Sequence, residues 1–144
     1  MTQESSLQAI IFRYDPQIRG VRAQGPRDTL SLRLVLGAIA SPPYVLTAAR
    51  AVLGRSSFGA EDLLFRYPAA ELLDPGEELW QGVEVEAVDE VAHVPERAFE
   101  QLVVAAIRTL LADGPPSGQG GVDEPTRATV SAMLGEIEAR HGAS

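Results

Sequence analysis

The 144-residue chain contains no cysteine. That excludes disulfides, thiolate metal sites and a cysteine nucleophile, and it suits a reducing compartment. It also contains no lysine: all twelve basic residues are arginine. With its abundant Ala, Gly and Pro, this bias reads as GC-rich coding rather than as function. No window approaches the ~20 uninterrupted apolar residues of a membrane helix. The opening Met1-Thr2-Gln3-Glu4-Ser5-Ser6 lacks the basic flank and apolar run of a secretory signal, so a cytoplasmic protein without a membrane partner is expected. Histidine is scarce, with two residues, and this limits both metal binding and general acid-base chemistry.

What is present describes a folded protein. An apolar fraction of 45% and a charged fraction of 22% are ordinary for a globular domain. The net charge of −8 argues against a nucleic-acid partner, because phosphate contacts need a cationic surface. The charge is unevenly placed. Residues 1–55 hold seven arginines against three acids, and residues 56–144 hold five against seventeen. Two interaction faces would produce this asymmetry, and so would complementarity between two halves of one domain.

Periodicity predicts an α+β fold, an antiparallel sheet packed by helices. Leu7–Tyr14 is apolar on both parities, as in a strand covered on both faces. Asp15-Pro16-Gln17 supplies a turn. Gln17–Gln24 reads as a weaker strand with a bulge at Gly20. Residues 29–36 alternate, with Leu30, Leu32, Leu34 and Leu36 on one side, which favours a strand. A helix over 28–40 is the rival reading, since leucine has no β preference. Ser41-Pro42 opens a helix over 42–54 with Gly54 as its stop. A short helix is the reading for Ala60–Phe65. Residues 79–94 read as one long strand, bent near Ala87-Val88, with Val83 and Val85 inward and Glu84 and Glu86 outward. Pro95 opens the clearest element, a helix over 96–112 with Phe99, Leu102, Val103, Ala106, Ile107, Leu110 and Leu111 on one stripe. The Gly- and Pro-rich stretch 114–123 reads as a flexible linker closing a domain of residues 1–113. A last helix over 124–140, capped by Asp123, would then dock on that domain through Val130, Met133, Leu134 and Ile137.

Candidate chemistry is sparse. His93 and His141 do not share an H-E-x-x-H helix face. Glu84 and Glu86 lie roughly 7 Å apart on one strand face, a spacing open to paired-carboxylate chemistry but equally that of a solvated surface. Gly118-Gln119-Gly120-Gly121 follows a helix and lacks the Lys-Ser/Thr of a phosphate loop. No serine sits in a G-x-S-x-G elbow. The expectation is a protein that binds and does not catalyse, with no catalytic residue, metal or cofactor. Residues 71–100 carry ten acids and one arginine. Held on a strand, such an array would speed encounter with a cationic partner and fix its register. The candidate partner-binding residues are Glu77, Glu78, Trp80, Glu84, Glu86, Asp89 and Glu90. Trp80 is an anchor if exposed and a core residue otherwise. On the N-terminal side, Arg13, Arg19, Arg22, Arg27 and Arg33 could grip an anion, or they could pair with the acidic half.

The runs Gly82-Val83-Glu84-Val85-Glu86-Ala87-Val88 and Pro95-Glu96-Arg97-Ala98-Phe99-Glu100-Gln101-Leu102 resemble those of immunity proteins of bacterial polymorphic toxin systems. In some of these an acid-rich strand runs into a P-x-x-x-F-E-x-L helix. The resemblance spans about a fifth of the chain. It implies a cytoplasmic antidote that masks a toxin domain, often a basic nuclease, by charge complementarity. An acidic secretion-type chaperone, dimeric and with an apolar groove for its client, is the alternative. A small-ligand binder or enzyme would need a pocket with convergent polar groups.

Overall fold

A computed structural model describes residues 3–142; the outermost residues of the two terminal segments read above lie outside them. In order, the elements are α1 (Gln3–Gln8), β1 (Ile11–Asp15), β2 (Gly20–Gln24), α2 (Leu30–Ile39), α3 (Val45–Leu53), β3 (Phe58–Ala60), β4 (Leu63–Arg66), β5 (Val83–Ala87), β6 (Glu90–Val94), α4 (Glu96–Asp113) and α5 (Glu124–Gly142). The α+β class holds, but the strands form two antiparallel sheets. One is the hairpin β1-β2; the other has the order β3-β4-β5-β6.

Several segments differ from the sequence reading. Over 7–14, Leu7 and Gln8 belong to α1 and only Ile11 onward is strand. Leu7 and Ile10 are both buried, a spacing of three that suits a helical turn. Gly20 makes no bulge, because it pairs in register with Asp15. Of residues 29–36, expected as a strand, Leu30 onward belong to α2 and Thr29 is its N-cap. The leucines at every second position are separated by the helical period: Leu32, Val35, Leu36 and Ile39 are buried, whereas Leu34 is exposed. Leucine is a good helix former, so propensity and the 3-4 spacing together outweigh the apparent alternation.

The helix expected from Pro42 starts at Val45, after a turn in which the Val45 amide bonds the Ser41 carbonyl at 3.0 Å. Gly54 caps it, as the sequence predicts. The short helix expected over 60–65 is instead a hairpin, β3-β4, turning at Glu61-Asp62. Phe58 and Phe65 stack across it with ring centroids 5.5 Å apart. With one strand only three residues long, its alternation is too brief to read.

The strand expected over 79–94 is two strands. β5 and β6 pair from Ala87↔Glu90 to Val83↔Val94, around the two-residue turn Val88-Asp89. Both turn residues have positive φ (47° and 61°), the geometry that matches the twist of a tight hairpin. In β5, Val83, Val85 and Ala87 are buried and Glu84 and Glu86 lie on the other face.

Helix α2 is central, packing on β2 and on the large sheet through β4, β5 and β6. Helix α4 covers β1 and β2, and α5 covers α3 and α4. Phe65, Phe99 and Tyr67 interlock at the centre, with the Phe65 and Phe99 rings 5.1 Å apart. Between α4 and α5, residues 114–123 form a loop whose Val122 is buried. Gly121 lies against Pro115 so closely that a Cβ would come within 1.9 Å of the Pro115 oxygen. Asp123 caps α5 as predicted, its Oδ1 accepting the Thr126 amide at 2.8 Å. Among the described residues, no helix is long and apolar enough to cross a membrane.

Candidate protein-binding surface

The large sheet turns one face to the helices. The other carries two cross-strand rows, set by register. One runs Gly59, Leu64, Glu86, Val91; the other runs Arg66, Glu84, His93. This outer face brings together Glu84 and Glu86, as the period of two predicts. Their environments differ.

Glu84 is tied down. Arg66 donates to its Oε1, and His93 Nε2 lies 3.1 Å from Oε2; the Glu84 side chain keeps only 12% of its exposure. Burial alone would raise its carboxyl pKa, but the hydrogen bonds from Arg66 and His93 outweigh that and hold it below the ordinary value. Trp80 caps this row. Its ring faces the Arg66 guanidinium at 5.8 Å, within cation–π range, and it is half-buried. Neither an exposed anchor nor a core residue, it is a lid over an ion pair.

The remaining candidates are open. Glu86 is half-exposed; Glu77, Glu78, Asp89 and Glu90 are exposed. Glu77 accepts the Asp74 amide at 2.6 Å and so closes its own loop. Glu86, Asp89 and Glu90 cluster at the β5-β6 turn, where the exposed apolar side chains Val88 (57%) and Val91 (53%) also lie. β6 is a terminal strand of its sheet, so one backbone edge has no strand beside it. Val88 is a local anomaly. A β-branched residue in the left-handed region is held there at a cost of roughly 1–2 kcal/mol, and Val88 recovers no burial in return.

A single strand over 79–94 would keep His93 away from Glu84, so the pairing follows only from the hairpin. The turn at Val88-Asp89 folds His93 back beside Glu84. The available signal is the acid pair Asp89-Glu90, which interrupts the inward apolar series.

A second polar cluster was also missed. Glu100, on α4, is 2% exposed. Its Oε2 accepts Tyr67 Oη and Arg140 Nη2, both at 2.6 Å, and its Oε1 accepts Arg140 Nε at 3.2 Å and His141 Nε2 at 2.7 Å. Arg140 also donates to the Val52 and Leu53 carbonyls at 2.9 Å. Burial would raise the Glu100 pKa, yet the bonds from Arg140, Tyr67 and His141 bring it below the usual value. The Tyr67 phenol is pushed well up, by burial first and then by its bond to Glu100. Both carboxylate oxygens are fully engaged, so this cluster is built to hold α5 against α3 and α4. No group of three or more His, Asp or Glu converges as metal ligands among the described residues.

Comparison of the chain with protein-family models, with curated proteins and with solved structures finds no match.

Proposed function

We propose that this chain is a stoichiometric binding protein. It takes a cationic protein domain on the β5-β6 hairpin, and the reading that fits best is a cytoplasmic immunity protein that masks a basic toxin domain. The observation that carries this is the hairpin tip. Glu86 stands beside Val91 on the outer face, and Val88, Asp89 and Glu90 follow round the exposed turn; both valines are more than half exposed, and β6 has a strand on one side only. Carboxylates next to exposed apolar side chains resemble a protein-recognition patch, with charge for steering and apolar area for affinity. The strained Val88 adds to the case, because an exposed residue held in an unfavourable conformation is a recurrent mark of a functional contact.

The chemistry elsewhere supports binding over catalysis. Glu84 is committed to Arg66 and His93, and Glu100 has both oxygens occupied. The partner is a protein rather than a nucleic acid, since a chain of net charge −8 repels phosphate.

Affinity capture from the native organism identifies the partner, and charge reversal tests the surface. The triple variant Glu86→Arg/Asp89→Arg/Glu90→Arg should slow association with the captured partner by about tenfold or more and flatten its salt dependence. Unchanged association with that partner would remove the hairpin as the interface.

A further inference from the structure

We infer that the groove between β2 and α2 receives an extended segment of a partner protein, one that carries a carboxylate side chain flanked by apolar ones. This site lies in the arginine-rich half of the chain and does not depend on the acidic hairpin.

Backbone geometry gives the first reason. β2 has a strand, β1, on one side only. The Val21 amide points away from β1 and bonds the Ala40 carbonyl at 3.1 Å. In an antiparallel pair, outward-pointing residues alternate, so the Ala23 amide and carbonyl point to the same open side. At Gly37 the helix touches the strand, since a Cβ there would sit 3.0 Å from the Val21 oxygen. That contact closes one end. Alongside it the groove encloses about 600 Å³, lined by Ile18, Ala23, Leu30, Arg33, Leu34 and Tyr44 among others. Past that contact the edge at Ala23 borders the groove, where an extended segment can form main-chain bonds as in strand addition, with the side-chain lining giving specificity.

The lining specifies the occupant. Ile18 is 52% and Leu34 37% exposed, which offers apolar contact. Arg33 supplies the charge. Its Nε bonds Thr29 Oγ1 at 2.9 Å and its Nη2 bonds the Pro26 carbonyl at 3.0 Å. Both acceptors are neutral, and no ion pair forms at Arg33 among the described residues. A half-buried guanidinium aimed by two neutral oxygens, with no ion pair among the described residues, presents its remaining donors to an anion. Arg22 also lines the groove, but it is paired with Asp15 at 2.8 Å, so Arg33 is the residue that selects the acid.

The test uses the whole chain and a displayed library of random eight-residue segments held between fixed flanks, without a free C-terminus. Enriched segments should carry Asp or Glu flanked by Val, Ile or Leu. They should shift the Ala23 amide resonance in the 15N-labelled protein. Arg33→Gln should weaken them by at least about tenfold, as expected for losing a charge-assisted hydrogen bond, and Arg33→Lys should weaken them less. The proposal falls if no acid-containing segment is enriched, if those enriched bind Arg33→Gln as tightly as the parent, or if Ala23 does not respond.

Discussion

Replacing Glu100 by glutamine should destabilise the fold by about 3 kcal/mol, and the structure sets both that size and its pH dependence. The side chain keeps its shape but loses its charge, while Arg140 stays where it is. Removing one partner of a buried ion pair costs about 3–5 kcal/mol, because the other charge is left uncompensated. The low end applies here: Arg140 retains 28% side-chain exposure and keeps its bonds to the Val52 and Leu53 carbonyls. With a urea slope of about 2 kcal/mol/M, the unfolding midpoint should fall by about 1.5 M at pH 7. The folded-state pKa of Glu100 lies below its ordinary 4.5. Its stabilisation is therefore present above the unfolded value and lost as pH drops through the folded one. The gap between the parent and Glu100→Gln should narrow below about pH 4.5, where the parent's unfolded chain takes up a proton that its folded state resists. Urea titrations at pH 7 and pH 3 measure both effects. A midpoint change under about 0.3 M at pH 7, or a gap equally wide at pH 3, would refute the claim that this carboxylate fastens α5.

Two further substitutions test local readings. Val88→Gly relieves a left-handed β-branched residue and should raise stability by about 1 kcal/mol, read as a higher thermal midpoint. In the captured complex it should weaken binding, since it removes the exposed side chain; an unstrained turn would give no gain. Leu34→Lys and Leu36→Lys separate helix from strand over residues 29–36. In a strand both side chains share a face, whereas here Leu34 is 37% exposed and Leu36 is fully buried. Leu34→Lys should change stability by less than about 0.5 kcal/mol, and Leu36→Lys should abolish cooperative unfolding. Equal damage from the two would contradict α2.

The elements legible in the sequence were those long enough to repeat their period. α4 shows four turns of apolar stripe and was placed to within a residue at its C-terminal end. α5 was marked by its Asp123 cap and by Val130, Leu134 and Ile137, all buried. The acidic strand was legible because Val83, Val85 and Ala87 alternate with two glutamates. The failures have physical causes. β3 and β4 are three and four residues long, too short for a period to stand out. The β5-β6 turn lacks Gly or Asn, the residues that advertise a two-residue hairpin, so the chain reversal at Val88-Asp89 read as a bend. α2 was lost to leucines spaced by two. The same hidden turn makes Glu84 look like one of the open acids in the sequence, since its partner His93 lies on the returning strand.

The charge asymmetry of the sequence left two explanations open, and the ion pairs weigh on that choice. If the two halves neutralised one another, Arg13, Arg19, Arg22, Arg27 and Arg33 would meet acids beyond residue 55. Among the described residues none does; Arg22 pairs with Asp15 of its own hairpin. The acidic half draws its partners mostly from within, as Arg66–Glu84, Arg108–Glu138 and Arg140–Glu100, while Arg55–Glu96 joins the halves. Folding therefore leaves the imbalance largely in place, with Glu86, Asp89 and Glu90 at one hairpin and Arg33 in one groove. Unscreened like charge of this kind destabilises a free protein. Raising salt should accordingly stabilise the isolated chain, by screening repulsion among its acids. A melting temperature that falls between 0.05 and 0.5 M sodium chloride would mean that attraction inside the molecule, not repulsion, dominates its surface.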